Sequence, residues 1–367
     1  MLSALPHPVL RTAPAMDPVV SGDPPQGPPP LLLVGHGTRC LPGEAQFAGF
    51  VHRLHTRMAA RGVDVAGGLI ELAPPPVTDA AAALVARGHH TVVAVPLMLV
   101  AAGHAKGDIP AALAREVGRY PGLSYRYARS LGPDPLVLTA LLERLDAVLD
   151  HGDRANAYVV LVGRGSTDPD ANSEVARTAR LLLERATTQG GALAGVEPSF
   201  ISLAAPGVPA ALDRTRRLGA RTTVVLPLFM FAGVLPNRIV TQAHTWAQHK
   251  PEVDLRCAEV IGDCDLLAEA IEARYDEVLA GPVRAGCDTC MYRIAIRGFT
   301  HRVGQPQTPH DHPDDPDASH GHGHGHGHGH GHGHGHGHGH GHGHRSTAQT
   351  AGGPGLDRGA HELPVLS

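Results

Sequence analysis

The chain has 367 residues, a formal net charge of −4 and five cysteines. This length is enough for two ordinary domains, and the charge argues against a nucleic-acid-binding surface. An odd number of cysteines argues against a disulfide framework, and the apolar runs are too short to span a membrane. Because no signal-peptide pattern is visible at the start, we expect a soluble, cytoplasmic protein.

Both ends of the chain lack the apolar residues that a core requires. Residues 1–30 are rich in proline, and residues 302–367 are dominated by Pro, Gly, His and Asp. These two segments are predicted to be disordered. From His320 to His344, histidine alternates strictly with glycine, which indicates a flexible set of imidazoles that stores or buffers metal ions.

Between the termini, strand and helix signals alternate in chain order, which is typical of a parallel sheet covered by helices. The predicted strands of the first half are residues 31–34, 65–71, 91–97 and 123–128. Those of the second half are residues 158–162, 196–203, 222–230 and 254–260. Asp108 and Asp134 stand before apolar helical segments and are predicted to be helix N-caps.

The two halves are copies of each other. LLLVGHGTRC at residues 31–40 matches VVLVGRGSTD at residues 159–168, and Pro96 falls on Pro227 in a second aligned segment. We therefore predict an α/β fold made of two tandemly duplicated parallel-sheet domains that face each other across a cleft. The predicted domains are residues 31–150 and 155–281, followed by a CxxC segment at 282–301.

Three potential metal ligands follow the first three strands of the first half: His36, Glu71 and His104. Ligands of open parallel sheets bind outside the carboxyl ends of the strands, so these side chains are expected to meet in one crevice. The corresponding residues of the second half are Arg164, Ser202 and Leu235. Because all three candidates are replaced together, we infer that the first copy carries the chemistry and the second lends structure.

Two imidazoles and one carboxylate suit a borderline divalent ion such as cobalt, nickel, iron or zinc. The same groups accept protons near neutral pH. Insertion of a metal ion into a tetrapyrrole needs both properties, since a divalent ion enters and two pyrrole N–H protons leave. Taken singly, each histidine has an alternative interpretation as a hydrogen-bonded loop residue, and Glu71 as an N-cap or the partner of a nearby cation.

At these positions the sequence resembles the class II chelatases. The segments that carry the resemblance are LLLVGHGTR, IELAPPPVTDA and PLMLVAAGHAKGDIPAAL, within residues 31–281. They are similar to the long, internally duplicated sirohydrochlorin cobaltochelatases that carry a C-terminal His-rich tail. The resemblance implies insertion of cobalt into sirohydrochlorin in cobalamin biosynthesis. It also implies that His36 and His104 bind the metal and assist deprotonation, with Glu71 sharing either role.

Two other functions remain open at this point. The same site residues suit a sirohydrochlorin ferrochelatase of siroheme synthesis, and iron or nickel in place of cobalt. A metal-storage protein or metallochaperone, in which the tail is the functional part, is the alternative from a different class. If the substrate is a carboxylate-rich tetrapyrrole, Arg39, Lys106 and Arg164 are candidates for binding its carboxylates.

The CxxC segment contains Cys287 and Cys290 in AGCDTCMYR. Members of the resembled family with an iron–sulfur centre tend to show Met-x-Cys-x-x-Cys, whereas Ala285 stands at the methionine position here. Two cysteines do not complete a four-thiolate cluster, so an iron–sulfur cluster would need Cys257 and Cys264 or a second subunit. Zinc is the alternative metal and meets the same shortage of ligands.

Overall fold

The computed structural model describes residues 27–150, 152–188 and 191–283, together with Tyr292, Ala295, Gly298 and residues 300–304. Cys287, Cys290 and the His-rich tail lie outside the described residues, and so does most of each terminal segment that we predicted to be disordered. The predictions made for them remain predictions.

Strands and helices alternate through both halves. The first half contains β1 (Leu31–Gly35), α1 (Leu41–Ala59), β2 (Val65–Leu69), α2 (Val77–Ala86), β3 (Thr91–Pro96), α3 (Ile109–Arg119), β4 (Ser124–Tyr127) and α4 (Pro135–Asp146). The second contains β5 (Ala157–Gly163), α5 (Pro169–Thr188), β6 (Gly195–Phe200), α6 (Val208–Arg217), β7 (Thr222–Pro227), α7 (Val234–Ala247), β8 (Asp254–Cys257) and α8 (Asp265–Ala280). All eight predicted strands are present, although several end two or three residues earlier than predicted.

The strands form two separate four-stranded sheets with the same order, β2-β1-β3-β4 and β6-β5-β7-β8. Every strand pair is parallel. The predicted duplicated α/β fold is therefore confirmed. Since all strands of a sheet run the same way, the loops that follow β1, β2 and β3 emerge at one edge. The two sheets lie within one compact unit, and the predicted domain boundaries remain a prediction.

One apolar core joins the two halves. Strand side chains alternate between two faces of a sheet, so Leu31 and Leu33 point into this shared core while Leu32 and Val34 pack under α2 and α3. Helices α1, α4, α5 and α8 all contribute buried residues to the shared core, whereas α6 and α7 cover the outer face of the second sheet. The helices between the sheets thus fix how the two halves meet.

Ion pairs add polar contacts to this interface. Three arginines at four-residue intervals on α1 face carboxylates on or just before α8: Arg53 with Asp263, Arg57 with Glu272, and Arg61 with Asp276. Such partly exposed pairs contribute about 0–1 kcal/mol each, so we assign them to the alignment of α1 with α8 and not to most of the stability. No helix in the described part of the chain is both long and apolar enough to cross a membrane.

The two predicted N-caps have different outcomes. Asp134 caps α4 as predicted, since its Oδ1 accepts a hydrogen bond of 2.8 Å from the Leu136 amide. The prediction for Asp108 is wrong, because this residue has helical dihedral angles and its side chain caps no amide. A turn of π-helix at His104–Asp108 precedes α3 directly, so Asp108 lies within a continuous helical segment.

Candidate metal centre

A tight contact between two loops brings His36 next to Glu71. The Glu71 amide donates a hydrogen bond of 3.1 Å to the His36 carbonyl oxygen. Gly37 makes this contact possible, because its φ is +106° and a Cβ there would lie 1.8 Å from the Glu71 carbonyl oxygen. The second half repeats the arrangement at Gly165 and Ser202, with the same 1.8 Å approach. The loop contact is therefore a property of the duplicated scaffold, and the candidate ligands His36 and Glu71 occur in one copy only.

The third potential ligand, His104, opens the π-helical turn that follows β3. Its Nδ1 lies 2.6 Å from Oδ2 of Asp108, four residues later and on the same face of the turn. The residue is 9% exposed. A carboxylate that accepts from one ring nitrogen fixes both the tautomer and the ring orientation. Of the two ring nitrogens of His104, Nε2 is therefore the one that would bind a metal ion.

The structure brings the three candidate ligands together. One ligand atom each from His36, Glu71 and His104 lies within 4.8 Å of the other two. His36 Nε2 is 2.9 Å from Glu71 Oε1, and the two imidazole rings meet edge to face with centroids 4.5 Å apart. Metal–ligand distances for nitrogen and oxygen are about 2.0–2.2 Å, so two ligands of one ion lie at most about 4.4 Å apart, and small side-chain rotations would bring all three atoms to one ion. Among the described residues, no other cluster of His, Cys, Asp and Glu has this geometry.

The surroundings of His104 favour the neutral form of its imidazole. Burial lowers the pKa of His104 and outweighs the opposing hydrogen bond with Asp108, and the Arg164 cation lowers the pKa further. A neutral imidazole is the form that coordinates metal ions and accepts protons. Glu71 is also enclosed, with a side chain only 7% exposed.

Arg164 of the second half reaches into this site. Its guanidinium Nη1 lies 3.4 Å from His36 Nε2. Burial lowers the pKa of Arg164 and the nearby Glu71 carboxylate opposes the shift, but an arginine remains protonated in proteins. The residue that replaces the histidine in the second copy thus brings a cation to the histidine of the first.

Both halves line one cavity of about 1280 Å³. His36 and His104 lie in its wall, and so do the second-half counterparts Arg164, Ser202 and Leu235. Typical small-molecule sites are about 300–1000 Å³, so this cavity suits an unusually large ligand. Leu72 and Leu203, which follow the two matching loops, line it with φ of 70° and 60°. Strained non-glycine residues of this kind cluster at functional sites.

The three predicted substrate-binding residues lie in different surroundings. Arg39 is exposed and Arg164 half-buried, and both line the cavity. Lys106 is not in the cavity wall: its Nζ contacts Asp168 and Asp170 of the second half at 2.7 and 2.8 Å. Burial would lower the pKa of Lys106, but the hydrogen bonds with these two carboxylates raise it above its ordinary value. Substrate binding by these residues stays a prediction.

Sequence reasoning missed three residues of the site. Asp108 could have been identified as a partner of His104 from their spacing of four residues, which places both side chains on one helical face. Arg238 and Arg302 also line the cavity, and no local pattern singles them out. Arg302 follows α8 by more than twenty residues, so only the folded chain places it near the loops of the first half.

Two curated relatives of this chain are sirohydrochlorin chelatases. A sirohydrochlorin cobaltochelatase of Priestia megaterium is 32% identical over 268 residues, which is 72% of this chain and 85% of the relative. A sirohydrochlorin ferrochelatase of Bacillus subtilis (strain 168) is 31% identical over 226 residues, which is 61% of this chain and 83% of the relative.

Solved structures give the same result. SirB from Bacillus subtilis with Fe³⁺ has a TM-score of 0.58 and 30% identity, over 68% of this chain and 95% of that one. The sirohydrochlorin chelatase SirB of Bacillus subtilis subspecies spizizenii in complex with cobalt has a TM-score of 0.55 and 28% identity, over 69% of this chain and 95% of that one. The profile of the CbiX family matches residues 30–148 and again residues 158–278. With both halves of its folded part matched in this way, the chain belongs to the CbiX family.

Proposed function

We propose that this protein is a chelatase that inserts a divalent metal ion, cobalt in the first place, into sirohydrochlorin during cobalamin biosynthesis. The observation that carries the proposal is the convergence of His36, Glu71 and His104 beside one large cavity, whose wall contains both histidines. The similarity to sirohydrochlorin cobaltochelatases and ferrochelatases supports it.

The metal ion is a substrate, and the three side chains provide a partial coordination sphere for it. His36 Nδ1 lies 3.1 Å from the Gly37 carbonyl oxygen, an acceptor, so Nε2 is its ligating nitrogen. With Nε2 of His104 and the Glu71 carboxylate, the site offers two imidazoles and one oxygen, a set that suits cobalt, nickel, iron and zinc. Three protein ligands leave positions open, into which the pyrrole nitrogens of the macrocycle enter.

The reaction releases two protons for each divalent ion, because two pyrrole N–H groups become metal-bound nitrogens. The groups beside the ion must therefore accept protons as well as donate electron pairs. The neutral His104 and the Glu71 carboxylate are placed to take them as the ion passes to the macrocycle. The buried setting of both side chains strengthens these electrostatic interactions.

The arginines of the cavity are proposed to hold the macrocycle. Arg39 comes from the first half and Arg164 and Arg238 from the second, so cations lie on both sides of the cavity. A guanidinium binds a carboxylate through two parallel hydrogen bonds and so fixes orientation as well as position. A carboxylate-rich tetrapyrrole would be held with its ring nitrogens toward the two histidines.

The choice between cobalt and iron is the finer part of the proposal. The cobaltochelatase relative covers more of this chain than the ferrochelatase relative, and on this ground we put cobalt first and siroheme synthesis with ferrous iron second. Binding of metal ions by the His-rich tail is proposed from its composition. An iron–sulfur cluster at Cys287 and Cys290 also stays a prediction, and no step of the reaction above depends on it.

The test is an anaerobic assay of the purified full-length chain with sirohydrochlorin and either Co²⁺ or Fe²⁺. Insertion is followed by the visible spectrum against a reaction without protein. We expect His36→Ala and His104→Ala to abolish insertion and Glu71→Gln to slow it, with unchanged circular dichroism. His55→Ala, on the exposed face of α1, is the matched control and should keep normal turnover. Folded His36→Ala and His104→Ala variants with near-normal turnover would contradict the assignment.

A further inference from the structure

The first helix of each half, α1 or α5, contacts the loop that follows the third strand of the other half. Gln46 on α1 accepts a hydrogen bond of 2.7 Å from the Ala232 amide, and Glu174 on α5 accepts one of 2.9 Å from the Ala101 amide. Gln46 and Glu174 occupy equivalent positions of the duplicated sequence, as do Ala232 and Ala101. The pair is a reciprocal contact across the interface between the two halves.

An additional contact exists on the side of the ligands alone. Lys106 Nζ lies 2.7 Å from Asp168 Oδ2 and 2.8 Å from Asp170 Oδ2. The Lys106 and Asp168 side chains are 10% and 3% exposed, so this is a buried ion pair. At the equivalent positions of the other side stand Asn237, Cys40 and Pro42, which cannot form it.

These contacts hold the segment that carries His104 at two points. Ala101 lies three residues before His104, and Lys106 lies two residues after it in the same π-helical turn. Both are tied to the N-terminal part of α5, where Asp168 Oδ1 also accepts a hydrogen bond of 3.1 Å from the Asp170 amide. Both contacts of the segment that carries His104 are therefore made with residues at the beginning of α5 in the second half.

We propose that the second half positions the metal ligand His104 through a clamp formed by Lys106, Asp168, Asp170 and Glu174. These are positioning residues, since none of them is among the three converging ligands. The proposal rests on the proposed function for its relevance to catalysis. It gives the second copy, which lacks the ligands, a direct role in the metal site of the first.

The first test removes the buried ion pair without leaving a lone charge. The triple variant Lys106→Met/Asp168→Asn/Asp170→Asn loses one positive and two negative charges, and Arg129→Met, which breaks the ion pair of Arg129 with Glu277 between the halves, is the control. Co²⁺ affinity of the site is obtained by titrating each full-length protein and the same protein with His36→Ala, so that binding by the tail cancels.

We expect the triple variant to bind Co²⁺ at the site about 10- to 100-fold more weakly, because removal of residues that orient metal ligands has effects of this size. Its KM for cobalt should rise while its KM for sirohydrochlorin stays unchanged, and Arg129→Met should alter neither. The single variant Lys106→Arg, which keeps the charge beside both carboxylates, should retain most of the affinity. Unchanged Co²⁺ affinity, or a rise in the KM for sirohydrochlorin alone, would overturn the clamp, and the latter would make Lys106 a substrate-binding residue.

A second pair of variants keeps the proposal testable if the triple variant does not fold. Glu174→Ala and Gln46→Ala each remove one of the two equivalent hydrogen bonds between the halves, but only the bond of Glu174 lies on the side of His104. Glu174→Ala should weaken Co²⁺ binding at the site and Gln46→Ala should not. Equal effects of the two variants refute the clamp. If the wild-type chain binds Co²⁺ at the site but inserts no metal, the proposed function fails while these binding measurements still decide on the clamp.

Discussion

Replacement of Asp108 by asparagine tests how the protein orients the buried imidazole of His104. Oδ2 of Asp108 lies 2.6 Å from Nδ1 of His104, and the Asp108 side chain is 10% exposed. Hydrogen bonds to charged groups contribute about 1.5–3 kcal/mol and neutral ones about 0.5–1.5 kcal/mol. Asp108→Asn keeps the shape and an acceptor but loses the charge, so the expected loss is about 1–1.5 kcal/mol. Since 1.4 kcal/mol is about tenfold, we expect Co²⁺ affinity of the site to fall about tenfold.

The assay is the Co²⁺ titration of the full-length variant, corrected by the same protein with His36→Ala. Asp79→Asn is the control, because Asp79 is an exposed acidic residue in the first turn of α2. Thermal unfolding without metal shows whether the variant is folded. A folded Asp108→Asn protein whose site binds Co²⁺ as tightly as the wild type would refute the role of Asp108 in orienting His104.

Three further predictions follow from the site and the tail. Arg164→Ala should raise the KM for sirohydrochlorin but not weaken Co²⁺ binding, because the variant loses a cation proposed to bind a substrate carboxylate beside His36. Weaker Co²⁺ binding in titrations would show instead that the guanidinium holds the candidate ligands in place. Deletion of residues 320–367 should remove most of the metal bound per chain, as measured by elemental analysis. The maximal insertion rate at saturating Co²⁺ should stay unchanged, since flexible imidazoles raise the local ion concentration without contacting the transition state. A large fall in that rate would contradict this prediction. Gly37→Ala and Gly165→Ala should each lower the free energy of unfolding, measured in urea, by at least about 1–3 kcal/mol, since the new Cβ meets a carbonyl oxygen at 1.8 Å and φ is positive. Urea midpoints equal to that of the wild type would show that the loops relax at no cost.

The sequence by itself determined the elements and the edge of the sheet at which the ligands lie. Apolar runs of four to eight residues alternating with amphipathic segments define parallel strands and covering helices, and this pattern depends only on local periodicity. Once the strands are parallel, residues that directly follow them share one edge, which is why the sequence predicts that His36, Glu71 and His104 lie close together. The repeat then distinguished the copy that carries the candidate ligands from the copy that lacks them.

The tertiary structure decided which residues of the two copies meet. The sequence offered Lys106 as a substrate-binding cation and Asp108 as an N-cap, and neither prediction anticipated the buried ion pair with Asp168 or the hydrogen bond with His104. Contacts between the halves depend on how α1, α4, α5 and α8 pack in the shared core, and this packing sums many weak interactions between residues far apart in the chain. Local patterns carry no information about that arrangement, so the approach of Arg164 to His36 appears only when both halves are folded against each other.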